Sequence, residues 1–330
     1  VVPIGDSEGE FEALLSGRVD FALVSAAFLD ARHDRHIRIV APLQLEALHL
    51  LVKREIAADV DAGLAGLAGH TVDLGPAGSA GSGLARAVLE FAGLGVEDAG
   101  APNGVRTLQL DLGELEARIG GDRAALPDAA FHLATMPSLV ANRLVREADY
   151  EAVPLPFAEA LRLQAIVDPD SRTSGEDSID RRLVVESVIP PFLYRAKPAV
   201  PAAPLPTLGT RLLLVTNSHV SAATVERVLG AAFETHFARL LHPPIDRSLL
   251  SAMPRRALHP GAVAYLARKE PAITGEMVGD LNNSLGILGA LRSSVGLQLP
   301  DGDLAVEAAE LREQIDAQVS SSSEISSVVE

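Results

Sequence analysis

Short apolar runs alternate with helix-patterned segments along most of this chain, and that alternation limits the architectures open to it. Asp20–Ser25, DFALVS, and Arg211–Thr216, RLLLVT, are continuous apolar runs of the kind expected of buried strands. Further strands are expected at Arg38–Pro42, Leu45–Arg54, His70–Leu74, Thr107–Asp111, Asp128–Leu133 and Tyr150–Leu155. Helical spacing falls between them, at Phe11–Leu15, Val60–Ala68, Gly113–Ile119, Pro137–Glu147, Phe157–Val167 and Ser221–Leu241. The pattern predicts an α/β fold whose mostly parallel sheets are flanked by helices on both faces.

One stretch stands out, Gly75–Glu90, GPAGSAGSGLARAVLE, lying between an apolar run and a helix that ends near Gly93. Its glycines permit backbone conformations and close approaches that a Cβ forbids. Ser79 and Ser82 are both candidate caps for the helix carrying Leu84, Val88 and Leu89. A strand, a Gly/Ser turn and a helix N-terminus together favour an anion, because free N–H groups and the positive end of the helix dipole converge there. The same stretch serves equally as an ordinary strand-to-helix turn. It matches neither the Gly-Lys-Ser/Thr ending of a P-loop nor the G-x-G-x-x-G order of a dinucleotide site.

At 330 residues the chain has room for two domains or lobes, with cores that must be aliphatic because aromatics make up 4% of it. A formal charge of −16 with no Lys/Arg cluster argues against nucleic acid and against attachment to an anionic membrane. The absence of cysteine removes disulfides, thiolate metal sites and cysteine nucleophiles. His33 and His36, flanked by Arg32 and Arg35, suit a polar loop better than a metal site, and His49 and His132 read as core histidines within apolar strands. No nucleophile elbow, zinc-protease helix or glycosidase-like acid pair is present, so no catalytic residue, metal or cofactor is assigned.

Six stretches in order carry a resemblance. GPAGSAGSGLARAVLEFAGL resembles the G-P-P-G-S-G-T…A-G-L signature of the TAXI family, the solute-binding receptors of TRAP transporters. GDSEGEFEALLSGRVDFALVSA is similar to the family's G-S-x-E-N segment, and APLQLEALHLLVKR to its L-Y-P-E-P-L-H-L-V-V-R strand. AAFHLATMPSLVANRL, the proline-rich IPPFLYRAKPAVPAAPLPTLGTRLLLVT and LHPGAVAYL complete the set over roughly residues 5–267.

The resemblance implies a two-lobed type II periplasmic-binding fold lacking the family's N-terminal strand and loop. Lobe 1 would combine 1–54 with 207–300, lobe 2 would be 55–206, and 301–330 would be a C-terminal helix and disordered tail. The implied ligand-facing set is Ser7, Glu46, His49, Ser79, Gly81, Ser82 and Pro137, with Glu46 and His49 either touching ligand or holding the hinge. The implied function is non-enzymatic: an extracytoplasmic receptor, with any membrane anchor outside this chain, capturing a small carboxylate (an amino acid or organic acid) for TRAP membrane subunits. Gln44 stands where the family has Tyr, and Gly81 where it has Thr. Those departures motivate an alternative, a sensory or scaffolding domain that keeps the fold without transport.

Overall fold

The computed structural model describes residues 7–32, 36–96, 100–167, 179–234, 245–253 and 255–269. The chain divides into two compact units, Val1–Lys269 and Glu270–Glu330, and every described residue belongs to the first. The tail expected at 301–330 and the part of lobe 1 beyond residue 269 lie outside the described residues.

In chain order the strands are β1 (Phe21–Ser25), β2 (Ile37–Lys53), β3 (Thr71–Asp73), β4 (Arg106–Leu108), β5 (Ala129–Thr135), β6 (Tyr150–Val153), β7 (Val185–Ile189), β8 (Arg195–Ala196), β9 (Ala199–Val200) and β10 (Leu205–Asn217). The helices used below are α1 (Ser7–Leu15), α2 (Ala26–Arg32), α3 (Arg54–Ala62), α4 (Ala80–Phe91), α5 (Leu112–Gly120), α6 (Leu139–Glu147), α7 (Ala158–Val167) and α8 (Ala222–Glu234), with a last described helix at Pro260–Lys269. The chain is α/β as expected, with a central eight-stranded sheet ordered β1-β10-β2-β5-β3-β4, β6 added to β2 and β7 added to β10.

The sheet is mixed rather than mostly parallel. β3 pairs parallel with β4 and β5, whereas β10 pairs antiparallel with β1, β2 and β7, and β2 antiparallel with β5 and β6. The reason is the pair of long strands at its centre. Strands expected separately at Arg38–Pro42 and Leu45–Arg54 are one continuous 17-residue strand, β2. Proline lacks the N–H a ladder needs, yet Pro42 is accommodated because β10 shifts register between Arg211 and Leu213, opposite it. The 13-residue β10 runs back along β2, with Gly209 opposite Ala47 and Thr210 opposite Glu46.

Each long strand changes partners along its length. β2 pairs with β10 over its first two thirds, then with β6 on that same edge and β5 on the other. Its burial follows: residues 39–42 and 47–52 are buried, whereas 43–46 are only half-buried. The two buried stretches belong to different cores. Ile39, Val40 and Ala41 pack with Phe11, Val24, Phe28, Leu213 and Tyr265. Leu48, Leu50 and Val52 pack with Val72, Leu84, Val88 and Phe131. Leu51, pointing to the opposite face as strand periodicity requires, packs with Leu115, Leu144 and Tyr150. At about 1.5–3 kcal/mol per fully buried aliphatic side chain, these clusters are the main source of stability on either side of the half-buried stretch.

Candidate functional site

The glycine turn is built as its residue types demand. Gly75 at φ 85° and Gly78 at φ 68° sit in the left-handed region, where a side chain would be strained. Of the two candidate serine caps, Ser79 takes the role: its backbone is extended and its Oγ accepts the N–H of Ser82 at 3.1 Å. Helix geometry leaves the first N–H groups of α4, those of Ala80 and Gly81, without a carbonyl partner inside the helix.

The turn forms part of the wall of a cavity of about 360 Å³. The lining includes Glu10 of α1, Leu23 and Ser25 of β1, and Leu212 of β10. It also includes the glycine turn, Leu110 to Leu112 at the start of α5, and Phe131 to Leu133 of β5. Glu46, at the half-buried middle of β2, belongs to the lining as well. Ser25 is held by donating to the Thr210 hydroxyl at 3.2 Å, which couples β1 to β10 at the cavity floor.

Of the residues implied by the resemblance, the cavity brings together Glu46, Ser79 and Gly81. Gly81 fits closely, since a Cβ there would stand 3.2 Å from Leu133 Cβ, so the threonine of the family signature needs β5 to yield. Ser82 is fully buried, outside the lining, and its hydroxyl has no partner among the described residues. Pro137 is exposed beyond the end of β5 and also outside the lining. Ser7 opens α1, but its side chain lies outside the described atoms.

His49 stands behind the cavity, fully buried. Its Nδ1 lies 3.0 Å from the Ala47 carbonyl and 3.1 Å from that of His132. Carbonyls only accept, so Nδ1 carries the proton and Nε2 accepts from the Tyr194 hydroxyl at 2.6 Å. The Tyr194 oxygen in turn accepts the Ser138 N–H, and Ser138 caps α6. Burial pushes the His49 imidazole down to about 4, so it is a neutral brace between β2, β5 and Tyr194.

The lining carries a group that the sequence reading did not single out. Asp73 ends β3, is 1% exposed, and faces the cavity wall beside the glycine turn. Its Oδ1 accepts the N–H groups of Gly75 at 3.2 Å and Leu110 at 3.0 Å, tying the turn to the start of α5, while its Oδ2 is buried without a partner among the described residues. Burial pushes its carboxyl up to about 6, against the pull of those two amides and of Arg118. Glu46 has no hydrogen-bond donor to its carboxylate among the described residues, and burial pushes it up to about 7. An acid inside an otherwise apolar Thr-Val-Asp-Leu run was the available signal for Asp73.

The chemistry of this wall is acidic. Glu10, Glu46, Asp73 and Asp111 line it, and among the described residues no lysine or arginine does. Asp111 is committed to capping α5, where it accepts the Glu114 N–H at 2.7 Å and Glu114 reciprocates. His132, the imidazole in the lining, is pushed down to about 3 by burial and by neighbouring His49, and so is neutral. Among the described residues no group of three His, Cys, Asp or Glu is placed to hold a metal ion, and no helix is long and apolar enough to cross a membrane.

No family model and no curated protein matches the chain. Among solved structures it is similar to an ABC transporter/periplasmic binding protein from Brucella ovis with glutathione bound, at 14% identity and a TM-score of 0.34, over 47% of this chain and 44% of that one. It is similar to an amino acid ABC transporter substrate-binding protein from Streptococcus pneumoniae bound to L-arginine, at 17% identity and 0.31, over 46% and 55%. It is similar to an ABC-type phosphate transport receptor from Vibrio cholerae, at 10% identity and 0.33, over 71% and 81%. The chain thus spans about half the length of the first two. All three are transport binding proteins.

Proposed function

We propose that this chain is a solute-binding receptor of the TAXI kind. It works outside the cytoplasm and captures a small carboxylate, an amino acid or organic acid, between two lobes for the membrane subunits of a TRAP transporter. The lobe boundaries are proposed at 54/55 and 206/207, close to the end of β2 and the start of β10. One observation carries the reading: a single cavity is lined both by β1 and β10 and by the glycine turn, α5 and β5, and β2 separates the strands of the two sets in the sheet. Leu23 and Leu112, one from each set, are 45% and 52% exposed, so closing the cleft on a solute gives both an apolar surface to cover. Two strands joining the halves suit hinge closure.

The N–H groups of Ala80 and Gly81 supply the carboxylate end of the site, each bond charge-assisted. An amino acid suits the wall better than a dicarboxylate, since Glu46 and Asp73 share the same space. The test is thermal unfolding of the chain with each of the common amino acids at millimolar concentration, followed by small-angle scattering with any that bind. A rise in Tm with a contraction supports the receptor. No rise with any of them sinks it.

A further inference from the structure

We infer that the cavity recognises a cationic nitrogen, an amine or guanidinium carried on an apolar body, through Asp73 assisted by Glu46. The inference rests on the receptor reading above and names the charged group that such a ligand presents.

Asp73 is the central observation. A carboxylate that is 1% exposed with one oxygen lacking a donor among the described residues is costly, because desolvation disfavours the charge and outweighs the amides on the other oxygen. Its other oxygen is fixed by two backbone amides, so the side chain is held in place at a position that lines the cavity. Glu46 adds a second carboxylate to the lining, from the middle of β2, likewise without a donor among the described residues. Among the described residues no lysine or arginine lines this space, and the cation that acts on Asp73, Arg118, stands outside the lining. Glu10 on α1 and Asp111 on α5 are acidic, His132 on β5 is neutral, and Glu114 and Arg118 of α5 act on Asp73 in opposite senses.

The rest of the lining decides what kind of cation fits. Leu23, Leu74, Leu110, Phe131, Leu133 and Leu212 make most of the surface apolar, and the acids do not converge as a metal site. An organic cation with a hydrocarbon body satisfies both. When it binds, carboxyl groups whose protonation is favoured by burial give up that proton and ionise, so binding releases protons near neutral pH.

Three probes of one chain length separate the parts: n-pentylamine, hexanoate and L-norleucine, titrated calorimetrically into the full chain at pH 5 and pH 8. Pentylamine and norleucine are expected to bind and hexanoate not. Pentylamine is expected to bind about tenfold or more tightly at pH 8 than at pH 5, with proton release in buffers of different ionisation heat. Glu46→Gln is expected to weaken pentylamine about tenfold and to flatten the upper part of its pH profile, and Asp73→Asn to weaken it further. Glu46→Gln keeps the test decisive if Asp73→Asn does not fold. Hexanoate binding while pentylamine does not overturns this inference and leaves the receptor reading standing. Silence from all three overturns both. Pentylamine affinity unchanged in Glu46→Gln and in folded Asp73→Asn overturns the assignment to these residues.

Discussion

Gly209 of β10 sits so close to the Glu46 carbonyl of β2 that a Cβ at 209 would collide with that oxygen and stand 3.4 Å from Ala47 Cα. The two long strands therefore cross at a point where only glycine fits, next to a carboxylate of the cavity wall. Gly209→Ala is expected to lower stability by about 1–3 kcal/mol, the usual cost of overpacking, seen as a lower urea midpoint at unchanged slope. A midpoint equal to that of the parent protein means the strands do not approach this closely.

The brace behind the cavity makes a separate prediction. Tyr194→Phe removes the hydroxyl that donates to His49 Nε2 at 2.6 Å and accepts from Ser138. It leaves a buried imidazole acceptor unsatisfied, at a cost of about 1–3 kcal/mol. The Nε2 resonance of His49, assigned by nitrogen NMR, should shift with the loss of that bond. An unchanged shift in the variant rejects the assigned tautomer.

The two serines of the glycine turn should part company. Ser79→Ala deletes an N-cap and is expected to cost about 1 kcal/mol. Ser82→Ala deletes a buried hydroxyl with no partner among the described residues and is expected to be neutral or stabilising, because an unsatisfied polar group carries its desolvation penalty. Parallel denaturant curves decide; equal losses from both substitutions contradict the capping geometry.

Glu46 and Asp73 give the free protein a pH dependence with a definite sign. Both carboxyls are raised in the folded state, from 4.5 to about 7 and from 3.8 to about 6. Their contribution to stability is fully present below the unfolded values and is lost as pH rises through the folded ones. Tm of the unliganded protein is expected to fall between about pH 4 and pH 7 by more than it does in Glu46→Gln, whose side chain keeps the shape without the charge. Parallel Tm profiles for the two proteins over that range exclude a raised Glu46.

Much of the local structure was readable because it depends on neighbours in sequence. Gly75, Gly78 and Ser79 announce a left-handed turn and a helix cap wherever they fold; DFALVS forms a strand as its composition suggests, but an edge strand that buries only Val24 and Ser25 and leaves Leu23 exposed. Pairing direction was not readable. A buried strand reads the same in parallel and antiparallel ladders, and here β2 takes its partners from residues 83 and more than 100 positions away, as with His49 opposite His132 and Glu46 opposite Thr210. The continuity of β2 through Pro42 was hidden for the same reason, since the register shift that tolerates the proline belongs to β10. Asp73 was missed because an acid in a three-residue strand reads equally as a strand end, and its importance lies in what Oδ2 lacks.

The composition of the cores also sets an order of assembly. The cluster around Leu48, Val72 and Phe131 draws almost entirely on residues 48–208, an unbroken length of chain. The cluster around Phe28 joins Phe11 and Leu14 to Leu258 and Tyr265, so during synthesis its first half must wait for residues some 250 positions later. Long-range closure is slow, and domains assemble as their chain emerges. The half bearing the glycine turn is thus expected to assemble first, with the apolar residues Phe11, Leu14 and Phe28 left uncovered until Leu258 and Tyr265 emerge.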